Sequence, residues 1–120
     1  GPMSILAYIT DLAFQAQVSQ AAHKADVEVQ IVSSLYHFLP GVERKASMVL
    51  IDLKAQGINP NMLIAQIKTK RPELTVVVFA SHLDEESRKQ ARKAGADTVL
   101  EGAELSKELP GILTQYGEKK

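Results

Sequence analysis

A chain of 120 residues whose 14 basic side chains balance 14 acidic ones has no net field with which to hold a phosphate backbone or an anionic membrane, so nucleic-acid binding by bulk charge is excluded. The absence of cysteine removes disulfides, thiolate metal sites and Cys nucleophiles together, and fits a reducing, cytoplasmic compartment. No apolar segment reaches the roughly 18 to 20 residues needed to cross a bilayer, and 45% apolar composition argues for one folded domain over residues 3–120, with Gly1-Pro2 read as an expression scar.

The apolar run over residues 4–9 predicts a first strand. Residues 15–24 predict a helix, with Phe14, Val18, Ala21 and Ala22 on one face. Val27, Val29 and Ile31 alternate with Glu28 and Gln30, the pattern of a half-exposed edge strand. A short helix over residues 35–42 would turn Leu35, Phe38 and Leu39 inward and be disrupted or ended at Pro40-Gly41. Next comes Ser47-Met48-Val49-Leu50-Ile51-Asp52-Leu53, too short for a helix and too uniformly apolar for a strand with a wet face. It predicts a central strand buried on both sides and ending at Asp52.

Gly57 and Asn59-Pro60 mark a loop, after which Asn61 is expected to cap a helix to about Lys70 carrying Leu63, Ile64 and Ile67. Thr75-Val76-Val77-Val78-Phe79 is the second buried strand. Asp84 heads a helix with Glu85 and Glu86 in its first turn and Arg92 and Lys93 in its last turns, the polarity its dipole favours, and Gly95 ends it. Residues 97–100 form a fifth strand. Ser106 is expected to cap a final helix with Pro110 in its first turn and Leu109, Ile112, Leu113 and Tyr116 on its core face.

Strands alternating with helices predict an α/β fold, a doubly wound five-stranded parallel sheet in the order 2-1-3-4-5. That order makes strands one and three neighbours. Asp11 and Asp52, each at the carboxyl end of its strand, then face one another across the switch point, where open α/β sheets place their ligand sites.

Ile9-Thr10-Asp11, Val49-Leu50-Ile51-Asp52-Leu53, Arg71-Pro72-Glu73-Leu74, Val77-Val78-Phe79-Ala80-Ser81-His82 and Ala94-Gly95-Ala96-Asp97, in this order and spacing, resemble the flavodoxin-like receiver domains of bacterial two-component signalling. The resemblance covers essentially the whole chain. It implies that Asp52 matches the aspartate phosphorylated by a histidine kinase, and that Asp11, Asp52 and the backbone carbonyl of Lys54 hold Mg²⁺.

Three positions depart from that pattern. Thr10 stands where the family carries a second acid, which implies weaker metal binding. Ala80 stands at the hydroxyl that contacts the phosphoryl group, with Ser81 one residue along and expected on the opposite face. Gly102 stands at the family lysine and Ala103 at the proline after it, so a phosphoryl group carrying close to two negative charges would face Asp11 with only the metal to neutralise it. Ala55-Gln56-Gly57 also lacks the usual loop proline. The expectation is a stand-alone receiver-like module with a degenerate switch, not an enzyme, which acts mainly by protein–protein interaction. The alternative is a genuine phosphoacceptor using Asp52 and Mg²⁺.

His82 is expected at the rim of the site, while His23 and His37 have no acidic or histidine partner at metal-ligand spacing. Ser33-Ser34 and Ser81 lack a nucleophile context, and no Gly-rich phosphate loop occurs. Arg88, Lys89, Arg92 and Lys93 read as a solvated helix face with Glu85 and Lys89 paired. By resemblance, the partner is a histidine kinase or a downstream signalling protein. It would dock, or a homodimer form, on helix four, strand five and helix five, where Val99, Leu100, Leu105 and Tyr116 are expected to leave apolar area.

Overall fold

The run around Asp52 forms the strand its composition demands. In the computed structural model, which describes residues 4–44 and 46–119, β3 (Ala46–Asp52) is the middle strand, with Met48, Val49, Leu50 and Ile51 completely buried. The expected scar Gly1-Pro2 and the expected domain limits Met3 and Lys120 lie outside the described residues. Strand β3 is flanked by β1 (Ser4–Tyr8) and β4 (Thr75–Ala80), and the edges are β2 (Val29–Val32) and β5 (Thr98–Glu101). All pairings are parallel and the order is β2-β1-β3-β4-β5, as the alternation of elements predicts.

Alternate side chains feed two cores. Ile5, Ala7, Met48, Leu50, Val77 and Phe79 point to one face, where α1 (Leu12–Ala25) and α5 (Gly102–Tyr116) contribute Val18, Leu105, Leu109 and Leu113. Leu6, Tyr8, Val49, Ile51, Val76 and Val78 point to the other, against Phe38 and Val42 of α2 (Leu35–Arg44), Leu63, Ile64 and Ile67 of α3 (Pro60–Lys70), and Ala91 of α4 (Glu85–Ala94). Each fully buried Leu, Ile or Phe adds about 1.5–3 kcal/mol. This two-sided burial fixes which strand ends meet, and so where the site falls.

Helix boundaries depart from expectation where a cap or a glycine was misjudged. Helix α1 starts at Leu12, not Gln15, because the Asp11 carboxylate accepts from the Phe14 N–H at 3.0 Å. Helix α2 runs through Pro40 and Gly41 to Arg44. Pro40 has no N–H to bond the Tyr36 carbonyl and its ring crowds that carbonyl, yet the helix continues, and a Cβ on Gly41 would lie 2.7 Å from a Leu6 methyl carbon, so that side chain would have to shift. Leu39, expected inward, is 42% exposed, and Val42 takes its place beside Phe38 in the core. Asn59, not Asn61, caps α3, accepting from Met62 N–H at 3.1 Å with Pro60 as the first helical residue.

Helix α5 begins at Gly102, so Ser106 is an interior residue and Pro110 lies mid-helix on an exposed turn, not in the first. Its true start is a reciprocal pair, in which the Glu104 carboxylate accepts from the Glu101 N–H at 2.9 Å. Among the described residues no helix is long and apolar enough to cross a membrane.

Candidate functional site

Asp52 ends β3, opposite Phe79 of β4, and is 2% exposed, the one charged residue buried to that degree among the described residues. The chain turns at once. Leu53 N–H donates to the Phe79 carbonyl at 2.8 Å, Ala55 N–H to the Asp52 carbonyl at 3.0 Å, and Lys54 N–H to Asp52 Oδ1 at 2.9 Å. Burial pushes the Asp52 carboxyl above its ordinary pKa. The Lys54 N–H opposes that shift, the charge of Asp11 adds to it, and the Lys54 ammonium opposes it weakly.

Asp11 follows β1 and is exposed, with one carboxylate oxygen committed to capping α1. Thr10, standing where the family resemblance calls for an acid, uses its hydroxyl to accept from Gln56 N–H at 3.0 Å, which ties the loop after β1 to the loop after β3. Phe14, on the first turn of α1, meets Phe79 edge-to-face at a centroid distance of 4.8 Å. Thr10, Asp11, Phe14, Asp52, Lys54, Gln56 and Ser81 line one cleft of about 200 Å³. The juxtaposition of Asp11 and Asp52 read from the strand order is therefore real.

The other expected positions divide. Ala80 is completely buried and absent from the cleft wall, whereas Ser81 is exposed and lines it. Strand alternation, which set Ser81 on the far side, no longer applies because β4 ends at Ala80. Gly102 is the first residue of α5 and sits against Ser81; an added Cβ would make only ordinary contact, 3.7 Å from Ser81 Cα. His82 is exposed and lines no part of the cleft. Phe14, Gln56 and the Lys54 side chain were not foreseen here. An Asp directly before an apolar helical run signals an N-cap, and that signal would have set Phe14 beside Asp11.

The basic cluster of α4 is not a uniform solvated face. Arg88 donates to the Glu104 carboxylate at 2.8 Å and to the Val99 carbonyl at 3.2 Å, and its guanidinium lies 3.5 Å from Glu101. The expected Glu85–Lys89 pair does not form. Arg88 holds the Glu104 carboxyl below its usual range, and Glu104 in turn raises the guanidinium. Of the four residues expected to leave apolar area on strand five and helix five, Val99, Leu100 and Leu105 are buried and Tyr116 is partly buried. No group of three or more metal-ligating side chains occurs among the described residues, so any cation in the cleft would rest on two carboxylates, backbone oxygen and water.

Neither a family model nor a curated protein matches the sequence. Among solved structures, a CheY-like response regulator receiver domain from Methanospirillum hungatei JF-1 superposes with a TM-score of 0.80 at 19% identity, covering 96% of this chain and 93% of that one. The receiver domain of the sensor histidine kinase PA1611 from Pseudomonas aeruginosa PAO1, with magnesium coordinated in its active-site cleft, gives 0.80 at 15%, covering 97% and 98%. A putative pilus assembly-related protein from Burkholderia pseudomallei K96243 gives 0.71 at 17%, covering 95% and 88%. The fold is that of CheY-like receiver domains. At such identities it fixes the architecture and leaves function to the site.

Proposed function

We propose that this chain is a receiver-like signalling domain that works mainly by binding other proteins, with phosphorylation of Asp52 weak or lost. The observation that carries this reading is the placement of charge at the carboxyl edge of the sheet. Asp11 and Asp52 share one cleft and repel, Gly102 offers no side chain, and Arg88, a half-buried cation on the β5 side, is tied to Glu104 and Glu101. A phosphoryl group on Asp52 would add close to two negative charges beside Asp11. Its partners would be a histidine kinase or a downstream signalling protein in the cytoplasm, and the domain would perform no catalytic turnover.

The cleft suits a weakly held Mg²⁺. Its donors are hard oxygens, those of Asp11 and Asp52 and the backbone carbonyl of Lys54, and Mg²⁺ readily keeps several waters in such a site. The ion would add positive charge to the little that Lys54 brings to the cleft. Thr10 gives a neutral hydroxyl already bonded to Gln56, and Asp11 has an oxygen engaged by Phe14 N–H, which together weaken the site.

A second reading, a working phosphoacceptor, draws support from two side chains. Ser81 and Lys54 both line the cleft and bring a hydroxyl and a cation from positions other than Ala80 and Gly102. Incubation with Mg²⁺ and acetyl phosphate, or with a beryllofluoride salt, separates the two readings. The proposed function predicts no stable mass shift and little change in the amide spectrum. An adduct that is lost in Asp52→Asn would establish the second reading instead.

A further inference from the structure

Pro and Gly are the two residues least compatible with a helix interior, yet Pro40 and Gly41 stand together in the middle of α2. Helical spacing puts both on one stripe with His37 and Arg44. That stripe is one wall of a cleft of about 290 Å³ at the amino-terminal end of the sheet. The sheet side of the cleft comes from Ser4 and Leu6 of β1, Ala46 at the start of β3, and Gln30 of β2, which pairs in register with Leu6. Without a side chain at Gly41 the helix approaches Leu6 closely, since a Cβ there would meet a Leu6 methyl carbon at 2.7 Å. Breaks in local preference are expected at functional or strained sites, and both of these breaks face the cleft.

The polar side chains around this cleft are cationic or neutral, and no acid lines it. Arg44 forms no ion pair among the described residues, whereas Arg71 and Arg88 each hold a carboxylate. Glu43, the acid next to Arg44 in the chain, is engaged by Lys70 at 2.9 Å. His37 Nδ1 lies 2.9 Å from the Ser34 hydroxyl, and with that hydroxyl donating, Nε2 carries the ring hydrogen and is left to donate. We propose that the cleft binds a small organic anion, a ligand with an apolar body and one carboxylate or phosphate group. Arg44 takes the anionic group through paired N–H bonds, a geometry that a guanidinium offers to both kinds of oxyanion. His37, Gln30 and Ser4 supply further donors, and Leu6, Pro40 and Ala46 receive the apolar body. At about 30 Å³ for each water-sized group the cleft has room for about ten of them, enough for one ring with its anionic substituent. The Asp52 cleft, at the opposite end of β3, carries two carboxylates against one lysine and disfavours the same ligand.

The test is an amide-detected NMR titration of the full chain with phenyl phosphate and with benzoate, which share a ring and differ in the anionic group, and with benzyl alcohol as their neutral counterpart. At least one of the two anions is expected to give saturable shifts centred on Gln30, His37, Gly41 and Arg44, and the tighter of them identifies the anionic group that the site prefers. Benzyl alcohol should bind at least tenfold more weakly. Arg44→Gln should weaken the anion at least tenfold with the rest of the amide spectrum native, while Arg92→Gln, which removes the same charge from α4, should leave binding unchanged. The proposal is overturned if neither anion gives a saturable shift at these amides at tens of millimolar, if benzyl alcohol binds as tightly, if Arg44→Gln binds like the wild type, or if Arg92→Gln weakens binding equally. Because none of these outcomes depends on phosphorylation of Asp52, failure here leaves the proposed function standing.

Discussion

Two pairs of carboxylates sit at the same edge of the sheet and meet opposite electrostatic fates. Glu101 and Glu104 are gathered by Arg88, which also bonds the Val99 carbonyl, so charge at the β5 end is partly offset and binds α4 to α5. Among the described residues Asp11 and Asp52 form no ion pair, and Asp52 is buried with its proton affinity raised. A fixed counter-charge turns acids into a fastener, whereas its absence leaves them as an electrostatic debt that a cation from solvent can settle. In the receiver domains this chain resembles, a lysine at the position of Gly102 would couple the two ends. Here the cation at the β5 end comes from α4 and is already committed.

The sharpest way to break the contrast is to remove the floor they share. Phe79 is completely buried on β4 and carries Phe14 above it at the cleft wall. Phe79→Ala should destabilise the chain by about 3–5 kcal/mol, the usual range for deleting a buried aromatic ring. Urea unfolding should show a shifted midpoint at an unchanged slope. A loss below about 1 kcal/mol would mean that the cleft relaxes onto other side chains.

Arg88→Ala comes next, because it frees the pair that Arg88 holds and leaves the other intact. Glu101 and Glu104 would then face each other unpaired, and α4 would lose its tie to β5. The expected result is a Tm lower by on the order of 5 °C, largest at low salt because the partners are partly exposed. Below the ordinary carboxylate range the difference should fade. Glu104 has a lowered pKa, so its contribution is present above its ordinary value and is lost as pH falls through the lowered one. A pH-independent loss would assign the effect to packing of the Arg88 stem.

How far this contrast could be read from the sequence depended on which signal each residue sends. Asp52 was legible because a run with no wet face, closed by one acid, reads as a central strand, and open α/β sheets place their ligand sites at the carboxyl ends of such strands. Asp11 followed from strand order alone. The clasp was not legible, since Arg88, Glu101 and Glu104 lie on separate elements and nothing in their spacing brings them together. The same limit misplaced the start of α5: the pair Glu101 and Glu104 is a capping pattern with an acid at the cap, and Ser106, a commoner cap residue, competed with it. Leu39 and Val42 illustrate another failure. Both fit an inward stripe of α2 beside Phe38, and only the continuation of the helix through Pro40-Gly41 to Arg44 decided which of them the core received.

Asp52→Asn sharpens the contrast from the other side. The amide keeps the shape and retains an acceptor for Lys54 N–H but removes a buried charge that Asp11 repels. At neutral pH the variant should be more stable by on the order of 1 kcal/mol. The folded state binds the Asp52 proton more tightly than the unfolded chain does. That contribution to stability is therefore fully present below the unfolded carboxyl pKa and is lost as pH rises through the raised folded value. The advantage of Asn should thus be absent in acid, grow across that window and then level off. An advantage that is already complete at low pH would trace it to hydrogen bonding instead.

The smallest expected effect distinguishes a latch from a brace at the same cleft. Thr10 accepts from Gln56 N–H at 3.0 Å, the one hydrogen bond joining the loop after β1 to the loop after β3 among the described residues. Gln56 is exposed, so when Thr10→Val removes the acceptor its N–H can turn to water, and the cost should stay near the low end of about 0.5–1.5 kcal/mol for a hydrogen bond. The larger change should be local: faster hydrogen exchange at the Gln56 amide, with the amides of β3 unaffected, because a loop can open without the sheet. If exchange in β3 rises as well, Thr10 braces the strand that carries Asp52, and its place in the site is structural before it is chemical.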